Sequence, residues 1–182
     1  FDEAVLAEPL SCVLNALELG GLKPGEQVGI WGAGPAGTLL ARAARALGGA
    51  PVNIEPDPRR RARIDGLETA GERAFDVAVV AVGDPAAYGE ALAHLAPRGR
   101  LVVFAGLPPA DDRPEVSFNQ LHYLEQTLVG AYGCCYRHGE AALAMIADRR
   151  VPVADMISHR LPLGQLDAAL EDQVAEAVAP VV

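Results

Sequence analysis

The sequence predicts a doubly wound α/β fold, a parallel sheet with helices on both faces and a reduced edge after its second strand. Three observations carry that expectation. Short apolar runs alternate with helix-forming stretches along the chain, and a glycine-rich turn joins the first strand to the helix that follows it. The run Phe75 to Val82 (FDVAVVAV) is nearly continuous in apolar residues, as a strand buried on both faces requires. With 182 residues, 51% of them hydrophobic and 21% charged, the chain has an ordinary globular composition and can bury a self-sufficient core.

Leu10 to Leu19 places Leu10, Val13, Leu14 and Leu17 at helical spacing, and Gly20-Gly21 supplies the stop. After the turn Lys23-Pro24-Gly25-Glu26, Gln27 to Trp31 (QVGIW) reads as a short buried strand running into glycines. Pro35 to Leu47 is a helix stopped by Gly48-Gly49, and Val52 to Glu55 a second strand that completes a βαβ unit. Only Pro56 to Ala74 separates that unit from the next strand, fewer residues than the roughly 30 of a βαβ unit. Beyond the strand at Phe75, the pattern gives a helix over Ala86 to Leu95 and a strand over Gly99 to Ala105. A short helix over Gln120 to Gln126, a strand over Thr127 to Tyr132 and an Ala-rich helix over Arg137 to Asp148 follow. A last strand over Met156 to Leu161 and a last short helix over Gln165 to Glu171 end the alternation.

A net charge of -9, with only one small basic cluster at Arg59, Arg60, Arg61 and Arg63, opposes binding to a phosphate backbone, so no nucleic-acid partner is expected. Gly, Pro and Arg interrupt every apolar stretch well before the roughly 18 residues of a membrane span. Cys12, Cys134 and Cys135 form neither a CxxC pair nor a disulfide framework, which suits a reducing, cytoplasmic setting. The chain starts at Phe1 without an initiator Met or a leader and reads as part of something longer.

Gly32-Ala33-Gly34-Pro35-Ala36-Gly37 matches GxGxxG directly after a strand and at the opening of a helix. The first glycine makes the tight turn, the second lets backbone approach a pyrophosphate, and the third permits close helix-to-strand packing. The helix N-terminus then offers free N–H groups and a positive dipole end to the phosphates. Glu55 follows roughly 20 residues later at the end of the second strand, where an acidic side chain can accept hydrogen bonds from the adenosine ribose. The same carboxylate repels a 2'-phosphate, which favours NAD over NADP, although the neighbouring arginines keep NADP open. The bland alternatives are a tight turn that binds nothing and a solvated strand-end carboxylate. A methyltransferase-like binder of S-adenosylmethionine is a rival, but its glycine loop would leave the first strand through an acidic residue, whereas Trp31 precedes Gly32.

The chain resembles the zinc-dependent medium-chain dehydrogenases, in particular their polyol, sorbitol and threonine dehydrogenase branch. Glu8-Pro9-Leu10-Ser11 before a helix, Leu22 to Val28 before the first strand and the loop Gly32 to Gly37 carry the resemblance. Leu95 to Val102 and Ile157 to Leu163 extend it in the same order and spacing. It implies a Rossmann domain over residues 27–155, a lead-in over 1–26 and a segment over 156–182 that returns toward a separate catalytic domain. It further implies that Arg60 lies against the adenosine, that Val82, Gly83, Gly106 and Leu107 border the cofactor, and that Glu8 contacts a catalytic zinc. The implied activity is oxidation of a secondary alcohol or polyol to a ketone, with hydride passing to NAD, in a homodimer or homotetramer. Most of the implied zinc and proton-relay machinery is not in this chain, so the 182 residues alone are expected to bind cofactor and to be inactive or nearly so. The second reading is a non-catalytic NAD(H)-binding regulatory or scaffolding module. Cys134 and Cys135 read as packing filler at a strand end, and His94, His122, His138 and His159 fall on separate elements with no shared ligand spacing.

Overall fold

The computed structural model describes residues 2–64, 66–110, 112–113 and 115–170. Strands β1 (Gln27–Trp31), β2 (Ala50–Ile54), β3 (Phe75–Val80), β4 (Leu95–Val103) and β5 (Thr127–Gly130) form one sheet in the order β2-β1-β3-β4-β5. All four pairings are parallel. The chain moves from β1 outward to β2, then returns across β1 to β3. That reversal opens a crevice at the carboxyl ends of β1 and β3, where open α/β sheets bind ligands.

Both faces of the central strands β1 and β3 are covered, so these strands are apolar at odd and even positions alike. On one face Val77 and Val79, with Val28, Ile30 and Val102, pack against α1 (Ala7–Leu19), α2 (Pro35–Ala46) and α6 (Tyr136–Ala147). On the other face Ala78 and Val80, with Trp31, Phe75 and Leu101, pack against Tyr88, Ala91 and Leu92 of α4 (Pro85–Ala93). Residues 7–19 therefore share the core of the sheet.

The edge beyond β2 is reduced, as the short spacing predicts. It holds only the one-turn helix α3 (Pro58–Arg61) and a single parallel bridge, Ile54 to Leu67. Asp57 caps α3 by accepting from the Arg59 and Arg60 N–H groups at 2.7 and 3.4 Å. Arg61 Nη1 ties the segment down by donating to the carbonyls of Glu55 and Pro56 at 2.8 and 2.9 Å.

Two expectations need correction. β4 begins at Leu95, not Gly99, because Leu95 already pairs with Phe75 before a register shift that restores Val77 opposite Arg100. The irregularity holds Arg98 at φ 62, with its N–H donated to Leu124 O at 2.7 Å beside α5 (Phe118–Tyr123). A Cβ on Gly99 would stand 2.7 Å from Ala96 O, so only glycine fits there. The strand expected over Met156 to Leu161 does not form: Ala154–Met156 is a 3-10 turn, and residues 157–162 join no ladder. The last helix is met by a 3-10 turn at Leu163–Gln165 and helical residues 166–170, while its expected end at Glu171 lies outside the described residues.

Candidate cofactor site

The glycine loop leaves β1 at Gly32, whose φ of +111 excludes other residues without strain. Gly34 is the N-cap of α2 at φ -67, and Pro35 occupies the first helical position. No side chain caps this helix, so the Ala36 and Gly37 N–H groups at its first turn face outward with the positive end of the dipole. A Cβ on Gly34 would meet nothing within 4 Å, whereas one on Gly37 would stand 2.2 Å from Gly32 O. The third glycine is thus a packing requirement, and the second leaves open space in front of the loop.

Two side chains of the β2 strand and its end hold this loop. Asn53 is buried and its amide donates to Gly32 O at 2.8 Å and to Gly37 O at 3.1 Å, clamping the start of the loop to the start of the helix. Glu55 is only 5% exposed, unlike a solvated strand-end carboxylate. Its Oε2 accepts from the Ala33 N–H at 2.8 Å and its Oε1 from the Asp57 N–H at 3.0 Å. Opposite, Trp31 packs edge-on against Phe75 with ring centroids 5.6 Å apart, and its Nε1 donates to Glu90 Oε2 at 3.0 Å.

Two hollows flank the loop. One, of about 510 Å³, lies at the strand ends between Trp31, Gly34, Glu55, Arg60, Val82 and Glu90. The other, of about 360 Å³, lies on the α2 side and is lined by Ala33, Pro35, Thr38, Arg60, Arg63 and Ser158 among others. Arg60 borders both. Arg42 closes the second hollow by pairing with both carboxylate oxygens of Asp155 at 2.7 and 2.6 Å, which holds the Asp155 carboxyl below the usual range.

Of the residues singled out in the sequence, Gly32, Gly34, Glu55, Arg60 and Val82 meet at the first hollow. Pro35 borders the second, and Ala36 and Gly37 stand behind them on α2. Gly83 and Gly106 sit against each other on the loops after β3 and β4, where a Cβ on Gly83 would stand 2.9 Å from Gly106 O. Leu107 packs on the α4 side of the core, and neither it nor those glycines line the hollow. Asn53, Trp31 and Glu90 were not singled out as site residues. The available signal for Asn53 was a polar residue in a strand position that faces α2.

Glu8 lies on α1, away from the loop, and accepts from the Cys12 thiol at 3.5 Å. Burial, and then the Glu8 carboxylate, push the Cys12 thiol up to about 11. Among the described residues no three His, Cys, Asp or Glu side chains converge as a metal site. Among them, too, no helix is long and apolar enough to cross a membrane.

The sheet order, the glycine loop and the uncapped helix behind it define an α/β domain of the Rossmann type. No protein-family model matches the chain. Similarity to individual proteins is specific. D-altritol 5-dehydrogenase of Agrobacterium fabrum is 32% identical over 182 residues, covering 91% of this chain and 54% of that protein. A Sinorhizobium meliloti protein named a zinc-binding dehydrogenase, solved bound to NADP, superposes with a TM-score of 0.75 at 23% identity over 84% of this chain and 50% of its own. A protein of Escherichia coli CFT073 named a short chain alcohol dehydrogenase, complexed with NADH, superposes with a TM-score of 0.80 at 16% identity over 92% of this chain and 54% of its own. The chain spans about half the length of the curated relatives it matches. Over that half the chain is similar in sequence and fold to these dehydrogenases, which fits the medium-chain family its motifs resemble.

Proposed function

We propose that this chain binds a nicotinamide dinucleotide across the carboxyl ends of β1 and β3 and serves the cofactor half of an alcohol or polyol dehydrogenase. The observation that carries the reading is the uncapped N-terminus of α2 behind Gly32 to Gly37, with the buried Glu55 beside it. The pyrophosphate would lie against the Ala36 and Gly37 N–H groups and the adenosine in the hollow between Trp31, Glu55 and Arg60. When bound, the nicotinamide supplies the hydride acceptor.

Glu55 supports NAD over NADP: a carboxylate at this place can accept from the ribose hydroxyls and repels a 2'-phosphate. Arg60 borders the same hollow and would attract one, and relatives of this fold have been solved with either nucleotide. Zinc fits this chain less well. Glu8 would be one ligand among donors that the described residues do not supply, so no step is derived through a metal. Free Cys12, Cys134 and Cys135 support a cytoplasmic setting. Among the described residues β5 is an outermost strand of the sheet, which supports a homodimer or homotetramer that light scattering would read.

Calorimetric titration with NADH and NADPH tests the reading. NADH should bind more tightly than NADPH. Gly34→Asp should abolish binding while leaving the melting temperature unchanged, because the new side chain enters open space in front of the loop. Failure of folded wild type to bind either nucleotide refutes the proposal.

A further inference from the structure

The first turn of α6 holds a second group of reactive side chains, separate from the cofactor loop. Cys135 is the N-cap of this helix and is exposed, and its sulfur lies 3.4 Å from Nδ1 of the buried His138. The Cys135 backbone N–H, which can only donate, also points at that Nδ1 from 3.2 Å. Nδ1 therefore carries the lone pair, and the ring proton is on Nε2, which lies 3.0 Å from Glu18 Oε2 on α1. Glu18 is fixed in turn by Arg137, which pairs with both of its oxygens and, with His138, holds the Glu18 carboxyl down to about 2. Nucleophile, base and orienting carboxylate thus stand in hydrogen-bonding sequence.

The other two cysteines lack this arrangement. Cys12 faces the Glu8 carboxylate, which opposes a second negative charge. Cys134 accepts from Ser11 Oγ at 3.0 Å and has no imidazole partner among the contacts of the described residues. Glu18, Arg137 and His138 also line a hollow of about 460 Å³ together with Leu14, Leu17 and Met145, while Cys135, exposed to solvent, lies outside that lining.

We propose that Cys135 is a site of S-thiolation by small disulfides, with His138 as its base and Glu18 as a positioning residue. The Cys135 sulfur attacks one sulfur of the disulfide and forms a mixed disulfide while the reagent's S–S bond breaks. The thiol proton passes to His138 Nδ1 and from there to the departing thiolate, so one disulfide and one thiol yield one disulfide and one thiol. The inference is independent of the cofactor reading.

The test is reaction of the folded 182-residue chain with 5,5'-dithiobis(2-nitrobenzoic acid), followed by release of the aryl thiolate, with peptide mass mapping to assign each cysteine. Cys135 should react about tenfold or more faster than Cys134 and Cys12. His138→Ala should remove most of that advantage, and Glu18→Gln, which leaves the imidazole buried, should lower it by a smaller factor. Cys134→Ser should leave the fast phase in place, whereas Cys135→Ser should delete it. Equal rates at Cys134 and Cys135, or an unchanged fast phase in folded Glu18→Gln and His138→Ala, would overturn the proposal. If His138→Ala does not fold, the Glu18→Gln rate and the mass map decide it.

Discussion

The two flanks of the candidate nucleotide site are built on different terms. On the β1 flank the glycine loop is fixed by backbone geometry and by buried side chains: Gly37 packs against Gly32, and Asn53 clamps both carbonyls. On the flank beyond β2, a one-turn helix, one bridge and the half-buried Asp57 cap do the same work. The first flank tolerates almost no change in shape, while the second is held mainly by polar bonds at the surface. Substitutions at the packed positions of the first, Gly37 and Asn53, should therefore damage fold and binding together, and substitutions on the second should alter nucleotide preference with little loss of stability.

The largest expected effect is Gly37→Ala. The new methyl group would stand 2.2 Å from a backbone oxygen, and neither the strand nor the helix can move away from it. A loss of about 3 kcal/mol in urea unfolding is expected, with loss of NADH binding. A stable Gly37→Ala protein that binds normally would break the comparison. Asn53→Ala comes next, because it leaves the Gly32 and Gly37 oxygens without their buried donor. It should cost about 2 kcal/mol and weaken NADH binding without changing the preference between NADH and NADPH.

What the sequence made legible follows the same division. β1 was read to its ends because a Pro-Gly turn and a glycine loop bracket it, and GxGxxG carries its own geometry. The reduced edge was legible because Pro56 to Ala74 is too short for the helix, strand and helix that the resembling family places there. Asn53 was passed over because its partners are main-chain carbonyls, which have no sequence signature. The early start of β4 was hidden because Pro97-Arg98-Gly99 reads as a turn, while in the fold it is a bulge inside a ladder. The strand expected over Met156 to Leu161 failed for a different reason: an extended segment becomes a strand only where a sheet edge receives it, and residues 157–162 join no ladder.

Arg60→Ala sharpens the comparison on the second flank. Arg60 borders both hollows but makes no salt bridge among the described residues, so stability should change by no more than about 0.5 kcal/mol. NADPH binding should weaken about tenfold more than NADH binding, the size expected when one cation near a phosphate is removed. Equal losses for the two nucleotides would place Arg60 against the shared part of the cofactor instead.

Acid should separate the flanks with the smallest effect of the four. The Arg59 N–H and the charges of Arg60 and Arg59 hold the Asp57 carboxyl below its ordinary value of 3.8. A carboxyl depressed on folding contributes stability above its unfolded value, and that contribution is lost as pH falls through the folded one. The α3 cap should therefore weaken below about pH 3.8, while the Asn53 amide, which does not titrate, keeps its hold on Gly32 and Gly37. Amide resonances followed by NMR would show the Arg59 and Arg60 N–H groups shifting first as pH is lowered, with those of the α2 first turn steady over the same range. Asp57→Asn should remove that pH dependence, since an uncharged cap accepts the same bonds without titrating. If the Arg59 shift persists in the variant, the acid-sensitive group lies elsewhere on this flank and the cap is not what holds the short edge in place.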